Sequence, residues 1–447
     1  MTLEELKIAM LLKAPGRTVR VSRAVALVAF LLLPAASAAQ QAPRVMTLDQ
    51  VVRLAVERDP AAVAAEGALS SARADRLQQT GAWLPSLNVN SFYSNSSNER
   101  FDQATGRLQS ESYSAQVQGG MDLFTGGRRL LAQRTVNAQV SAADAQYASQ
   151  RFNTILAATE AFYEAAAARD LMAVAAQRLE RARGQLSVAQ TRLELGTSTQ
   201  SDALRAEIEV GNAEVALLEA ESAMRNSTLE LGRRVGIAGQ IQPADAALPD
   251  SAPELPSLDV LVQQATTSSP SVTAAEATLR SRRSERLASF TPYLPTLRMT
   301  GGYDWSSFDF PPRDRSWSMR LTASLPVFNG FQREAAIQRT AANERIAEAR
   351  ARDATIAARV AVESAAAEIA SAERRVTIAD RSVVLAREDL RVQEERYEIG
   401  MATILELQTS QVALSDAEIA AVRARQALGT ATARLEAILG QTLREDG

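Results

Sequence analysis

Two long stretches of the sequence contain no proline and almost no glycine. Residues 127–195 lack proline, and Gly184 is their only glycine after Gly127. Residues 331–399 contain neither residue type. Because proline and glycine most often interrupt helices, each stretch predicts one continuous helix. At 1.5 Å per residue such a helix is about 100 Å long. This exceeds the helices of globular domains and indicates coiled-coil packing.

The two stretches belong to an internal duplication. The segment TLDQVVRLAVERDP from Thr47 aligns with SLDVLVQQATTSSP from Ser257. Further along, LFTGGRR aligns with VFNGFQR, and RLELGTST aligns with RYEIGMAT. The spacing between the copies changes once, between residues 95–120 and 305–324, which predicts a surface loop of variable length there.

Each copy reads as a helix, two strands, a long helix, a glycine turn and a returning helix. Capping patterns predict helix starts at Thr47, Asp59 and Ser269. Four prolines mark a linker between the copies. We predict a signal peptide at 1–38, a first structural repeat at 39–236, a linker at 237–256, a second repeat at 257–440 and a short tail at 441–447.

The N-terminal segment has the pattern of a secretory signal. Basic residues precede the apolar run AVALVAFLLLPAASA, which ends at Ala38 in a small-residue cleavage site. A buried or membrane helix is the alternative. The run is short for a span, and Gln40 and Gln41 follow it. No later segment is apolar enough for a transmembrane helix, so entry into a membrane would require a barrel.

The composition excludes several classes of chemistry. The chain has no Cys and no His, and both lysines lie in the expected signal peptide. Thiol nucleophiles, His bases, Schiff-base lysines and His/Cys zinc sites are therefore excluded from the mature chain. We expect no enzyme activity, metal or cofactor. The mature chain carries 44 Arg against 50 acidic residues, a net charge of −6, which does not suggest a nucleic-acid surface.

Two segments alternate apolar and polar residues over about ten positions, as membrane-barrel strands do. Residues 113–123 and 317–327 each place apolar side chains on one face, with weaker partners near 87–93 and 297–305. A soluble sheet packed on a helix alternates in the same way and is the alternative. The aromatic residues towards the hairpin ends predict a membrane-interface belt; they are Tyr93, Tyr113, Tyr303, Trp305 and Trp317.

Four strands are too few to close a membrane barrel, for which about eight are needed. An open sheet edge is not tolerated in lipid. The strand count therefore predicts that several chains share one barrel, with two chains supplying eight strands and three supplying twelve.

In the order and spacing of these motifs, the chain resembles the outer-membrane efflux protein family, the TolC-like channel-tunnel proteins. The resemblance covers residues 47–440. It implies a mainly α fold in which a long coiled-coil helical barrel is continued by an antiparallel β-barrel shared between three protomers. It also implies a location in the bacterial outer membrane, extending into the periplasm.

The resemblance also implies a function. This is a passive exit duct of a tripartite efflux pump or type I secretion system, which exports small molecules or polypeptides. The partners would be a second and third copy, a periplasmic adaptor (membrane fusion) protein, an inner-membrane pump or ABC transporter, and outer-membrane lipid. A periplasmic coiled-coil scaffold or tether without a pore is the alternative.

By resemblance, the two glycine turns are periplasmic tips, and Asp202 and Glu406 match carboxylates at the pore constriction. Both acids also fit a helix-capping pattern, which is the alternative role. Where family members may carry a second acid, this chain has Gln408, Thr409 and Ser410. The gating arginine of the family is also missing, with Met401 and Ala402 in its place, so closure would use other contacts. The residues expected to form the tip turns and contact the adaptor are Arg192, Gly196, Thr199, Arg396, Tyr397, Gly400 and Thr403.

Overall fold

The computed structural model describes residues 44–102, 106–244 and 248–443. The expected signal peptide and the end of the tail, 444–447, lie outside these ranges. The first copy comprises β1 (Arg44–Met46), α1 (Leu48–Arg58), α2 (Pro60–Gly81), β2 (Ser86–Asp102), β3 (Arg107–Phe124), α3 (Arg128–Glu194) and α4 (Gln200–Val235). After β4 (Ile241–Pro243), the second comprises α5 (Leu258–Ser268), α6 (Pro270–Ala288), β5 (Thr296–Ser307), β6 (Asp314–Ser324), α7 (Gln332–Glu398) and α8 (Ile404–Leu439).

The helices begin where the capping residues predict. Thr47 forms a reciprocal capping box with Gln50 at the start of α1. The carboxylate of Asp59 accepts a hydrogen bond from the main-chain N–H of Ala61 at 2.8 Å. At the start of α6, the hydroxyl of Ser269 likewise accepts a hydrogen bond from a main-chain N–H. These side chains satisfy N–H groups that have no partner inside the helix.

The two long helices end in the same backbone motif. Gly196 follows α3 at φ +72° and Gly400 follows α7 at φ +80°. In each turn the next N–H reaches back to a carbonyl of the last helical turn: Thr197 bonds to Arg192 O and Met401 to Arg396 O, both at 2.8 Å. This is the glycine-terminated Schellman arrangement. Glycine is required because other residues are strained at positive φ.

The helices form a layer with a definite lateral order. α3 packs between α4 and α8, and α8 packs between α3 and α7. Towards the sheet, α2 and α6 replace the two returning helices beside α3 and α7. Buried alanines and leucines form the core, including Ala165, Leu231, Leu428 and Leu435. Within the described ranges, no helix combines the length and the apolar character of a bilayer span.

The four long strands form one antiparallel sheet in the order β2–β3–β5–β6, so that the pair β3–β5 joins the two copies. The predicted surface loop at 95–120 is wrong. Pairing of β2 with β3 resumes after a bulge and continues to Asp102 opposite Arg107. The extra residues of the first copy therefore lengthen its two hairpin strands. Further hydrogen bonds between β2 and β3 satisfy the backbone groups of these residues.

Candidate functional site

One face of the sheet is apolar across all four strands. Val89 lies opposite Val117, Val117 opposite Tyr303, and Tyr303 opposite Trp317. Residues opposite one another in an antiparallel sheet share a face. The alternating positions recognised in the sequence therefore merge into one continuous surface. Its side chains are largely exposed, with 71% exposure at Val89 and 70% at Trp317.

The predicted aromatic residues are brought together on this face. The rings of Tyr93 and Tyr113 lie 5.1 Å apart between centroids, and those of Tyr303 and Trp305 lie 6.1 Å apart. Trp317 pairs with Tyr303 across β5 and β6. The five residues form a band over neighbouring rows of the sheet. The first hairpin continues beyond this band, so Tyr93 and Tyr113 lie at mid-strand rather than at its end.

A second aromatic group lies where the sheet joins the helices, and the sequence reasoning missed it. The sequence pattern could have revealed this group, because each copy has aromatic residues beside its Leu-Pro and glycine motifs. Aliphatic positions of the apolar face separate this group from the first. Its members are exposed, and they are Trp83, Phe124, Phe290, Tyr293, Phe328 and Phe331.

A buried arginine in each copy occupies the same junction. Arg129 donates to the carbonyl oxygens of Ala82 and Asp122 and lies over the Trp83 ring, 4.9 Å from its centroid. Arg333 donates to the carbonyls of Pro326 and Val327, both at 2.9 Å, and lies 4.3 Å from the Tyr293 ring centroid. The two guanidinium groups satisfy carbonyls where the strand pairing ends and the helices begin.

The opposite face of the sheet is polar. Gln116, Gln118 and Asp304 lie on it, and Arg298 forms an ion pair with Asp122 at 3.4 Å. The sheet therefore separates a continuous apolar surface from a hydrogen-bonding and charged one.

At the first tip, Asp202 is the N3 residue of a capping box with Thr199. Its Oδ2 accepts from the main-chain N–H of Thr199 at 3.1 Å and from the Thr199 and Ser198 hydroxyls at 2.8 and 3.1 Å. These hydrogen bonds, the main-chain one foremost, hold the pKa of the Asp202 carboxyl below its usual range. The capping role left open by the sequence is therefore present in the structure.

Glu406 repeats this arrangement at the second tip. Its Oε2 accepts from the Thr403 main-chain N–H at 2.7 Å and from the Thr403 hydroxyl at 3.0 Å. The same hydrogen bonds lower the pKa of the Glu406 carboxyl, and the side chain is exposed. Among the described residues, no cluster of three or more ligand side chains is placed to hold a metal ion.

The two tips of one chain touch through Arg192 and Tyr397. The Arg192 guanidinium donates to the main-chain carbonyl of Tyr397 and lies 4.8 Å from the centroid of its ring. Tyr397 is buried, and this burial raises the pKa of its phenol. Arg396, the duplicate of Arg192, instead reaches the carbonyl of Met401 in its own turn at 3.5 Å.

A family model described as outer membrane efflux protein matches residues 51–236 and 261–441. The chain belongs to this outer membrane efflux protein family. The match falls in two segments, one in each copy of the internal duplication. As a member of the family, the chain is an outer-membrane channel protein that extends into the periplasm, and it is not an enzyme.

Relatives of this outer membrane efflux protein support the same fold. It resembles the outer membrane protein VceC of Vibrio cholerae (18% identity, TM-score 0.72, 89% of this chain and 97% of that one). It also resembles the open-state outer membrane channel MtrE of Neisseria gonorrhoeae (19%, TM-score 0.74, 89% of each chain). Protein CyaE of Bordetella pertussis is 28% identical over 241 residues, 53% of this chain and 51% of that protein. The chain thus matches about half the length of this curated relative.

Proposed function

We propose that the protein is the passive exit duct of a tripartite efflux pump or type I secretion system. It would carry small molecules or polypeptides from an inner-membrane machine to the exterior. The observation that carries the proposal is the exposed apolar face of the four-stranded sheet, backed by a polar face. Large contiguous apolar surfaces are unfavourable in water and mark contact with lipid or protein.

The dimensions of this face support contact with lipid. Tyr113 and Leu123 are ten residues apart on β3, which corresponds to about 33 Å along the strand. With a strand tilt of about 40°, the height is about 25 Å, the thickness of the apolar band of outer-membrane barrels. We propose that the Tyr93–Trp317 band and the second aromatic group, near Trp83 and Tyr293, lie at the two membrane interfaces.

The unpaired edges of the sheet support sharing between protomers. In the sheet order, β2 and β6 are terminal, so each presents one row of main-chain groups without a strand partner within the described residues. Such an edge is not tolerated in lipid. Pairing of β6 with β2 of the next copy removes both edges. Three copies then supply twelve strands around a lumen lined by the polar face.

The edges of the helical layer support the same ring. On α7, Ile378, Leu385 and Val392 recur at seven-residue spacing and are exposed, and Ile399, just after the helix, continues the spacing. On α4, at the opposite edge, Leu204, Ile208, Val215 and Leu218 form a similar exposed stripe. Apolar residues at this spacing form coiled-coil seams. Contact between two different edges is head-to-tail and closes into a ring, in agreement with a homotrimer.

The lengths of α3 and α7 support the proposed periplasmic partners. Each has 67 residues, so each tip lies about 100 Å from the sheet. We propose that the tip turns, which include Arg192, Gly196, Arg396 and Gly400, contact a periplasmic adaptor protein. An inner-membrane pump or ABC transporter would supply the energy.

Capping and pore lining are compatible at the tips. The capping bonds use Oδ2 of Asp202 and Oε2 of Glu406, so the second oxygen of each carboxylate is available to a passing ion. In a trimer, three copies of both carboxylates would surround the constriction and favour cations.

Single-channel conductance in planar bilayers tests the proposal. We expect a cation-selective wild type and reduced selectivity in the Asp202→Asn, Glu406→Gln double variant. Glu194→Gln is the control, because it removes an exposed tip charge outside the capping boxes. Unchanged selectivity in the double variant would leave the two acids as helix caps only. A folded trimer with no conductance would instead favour the non-pore scaffold.

A further inference from the structure

A polar cleft of about 270 Å³ lies near the tips, between α3, α7 and α8. Its polar lining consists of Arg181 and Gln185 from α3, Glu394, Tyr397 and Glu398 from α7, and Gln411 from α8. We refer to it as the tip cleft. Asp202 and Glu406, the proposed pore carboxylates, are not among the residues that line it.

The floor of the tip cleft contains buried polar groups that have no partner within the described part of the chain. Gln185 is 6% exposed, and neither its amide nitrogen nor its amide oxygen has a hydrogen-bond partner. Tyr397 is 5% exposed, and its hydroxyl is also unpartnered. Buried polar side chains are nearly always hydrogen-bonded. Two such side chains from different helices in one cleft therefore point to a shared ligand.

The rim of the tip cleft is acidic. Glu394 and Glu398 lie one helical turn apart on α7 and are exposed. Like charges at this spacing repel one another. The Arg181 guanidinium, which also pairs with the Glu418 carboxylate on α8 at 3.3 Å, offsets part of this charge at Glu394. Burial is nevertheless the larger influence and raises the pKa of Glu394. The lining of the cleft thus holds two carboxylates and one guanidinium, a net negative charge, together with neutral donors and acceptors on the floor.

We propose that the tip cleft binds a small cation with several hydrogen-bond donors, which bridges α3, α7 and α8. The rim carboxylates would supply the counter-charge, and Gln185 and the Tyr397 hydroxyl would accept hydrogen bonds. A hydrated divalent ion and an organic ammonium ion share this chemistry, and the volume admits both. The proposal does not depend on a conducting pore.

Binding in the tip cleft would also strengthen the contact between the tips. Tyr397 lines the cleft, while its ring and carbonyl contact Arg192. A ligand that fixes Tyr397 therefore fixes the position of α7 relative to α3. Slower hydrogen exchange in residues 390–403 on cation addition would report this effect.

Calorimetric titration of the purified full-length protein tests the proposal, with MgCl₂ or spermidine as the probe at constant ionic strength. We expect saturable binding of one of these cations, which shows whether the ligand is a divalent metal ion or an organic ammonium ion. The Glu394→Gln, Glu398→Gln double variant should bind that cation at least tenfold more weakly. The control is Glu388→Gln, Glu395→Gln, which removes the same charge from α7 at residues that pair with Arg391 outside the cleft.

A second variant tests the floor of the cleft independently of its rim. Gln185→Met removes both unpartnered polar atoms at similar volume, and we expect it to weaken binding as well. If neither cation binds above the ionic-strength control, the cleft holds only water and the proposal is wrong. Equal weakening in the rim variant and its Glu388/Glu395 control would also overturn it, because the effect would then be unspecific charge screening.

Discussion

Arg192 and Tyr397 join the two glycine turns of one chain, because the arginine side chain lies over the tyrosine ring and donates to the tyrosine carbonyl. The two residues are 205 positions apart in the sequence. Near the tips, a small core that includes Ala189, Leu390 and Leu407 packs the same helices together. The duplicated hairpins are therefore fixed to each other at the end farthest from the sheet.

Removal of this contact is expected to loosen the tips. Arg192→Ala removes a cation–π contact and a charged hydrogen bond, which together correspond to about 1–2 kcal/mol of local stability. Hydrogen exchange in residues 396–403 should therefore become faster. Arg396→Ala is the matched control, since this arginine donates to the carbonyl of Met401 in its own turn. Equal exchange in the two variants would contradict a role of Arg192 in joining the hairpins.

The capping boxes are expected to make the tips sensitive to acid. The pKa values of Asp202 and Glu406 are lowered in the folded protein. Their stabilising contribution is therefore complete above the ordinary carboxyl pKa and is lost as the pH falls through the lowered values. Local unfolding of the tips, followed by hydrogen exchange, should increase on acidification below about pH 4.

The threonines of the same boxes provide a second test. Thr199→Ala removes the hydroxyl that caps α4 and should cost about 1 kcal/mol of helix stability. Thr403→Ala should act in the same way at α8. With the hydroxyl bonds lost, the acid sensitivity of each tip should decrease. A full acid response in both variants would show that the threonine hydroxyls do not cause it, and that the main-chain hydrogen bonds to Asp202 and Glu406 or other carboxylates do.

A close contact between α3 and α8 is expected to tolerate no extra methyl group. A Cβ at Gly429 would lie 2.7 Å from the Tyr163 ring, so Gly429→Ala should lower the thermal midpoint. Overpacking costs about 1–3 kcal/mol and exceeds the gain in helix propensity. Gly184→Ala is the control, because a Cβ there meets open space and should raise the midpoint slightly. A higher midpoint in Gly429→Ala would contradict the tight packing.

The buried junction arginines are expected to stabilise the sheet. Arg129→Ala leaves carbonyls of Ala82 and Asp122 without their side-chain donor and should cost about 1–3 kcal/mol. Arg333→Ala should have a similar cost, and Arg128→Ala, at an exposed neighbouring position, should have little effect. The heat-modifiability of folded protein on gels measures this difference. Equal mobility shifts for Arg128→Ala and Arg129→Ala would count against the proposed role.

The elements specified by local signals were the easiest to predict. The stretch 127–195 contains α3 (Arg128–Glu194) with a margin of one residue at each end, because glycine and capping residues determine helix ends locally. The apolar alternation located the four strands, although β6 ends at Ser324, two residues before Pro326. The duplication could be recognised because both copies preserve the same turn motifs.

Features that depend on distant contacts could not be predicted from the sequence. The Arg192–Tyr397 contact requires the lateral order of α3, α8 and α7, which no local pattern specifies. The same holds for the parallel pairing of β1 with β4 across almost two hundred residues. Arg129 and Arg333 were visible only as members of aligned motifs, since burial beside strand-end carbonyls is a tertiary property.

The difference between Arg192 and Arg396 has a consequence for symmetry. Duplication gives each chain two nearly equivalent hairpins, and a ring of three chains would approach sixfold symmetry. Only Arg192 reaches across to its neighbour, whereas Arg396 turns back on itself. Hairpins in the ring would therefore move as three rigid pairs. Widening at the periplasmic end would first move neighbouring pairs apart from one another, while the two hairpins within each pair stay together. An open tip would then have threefold rather than sixfold symmetry.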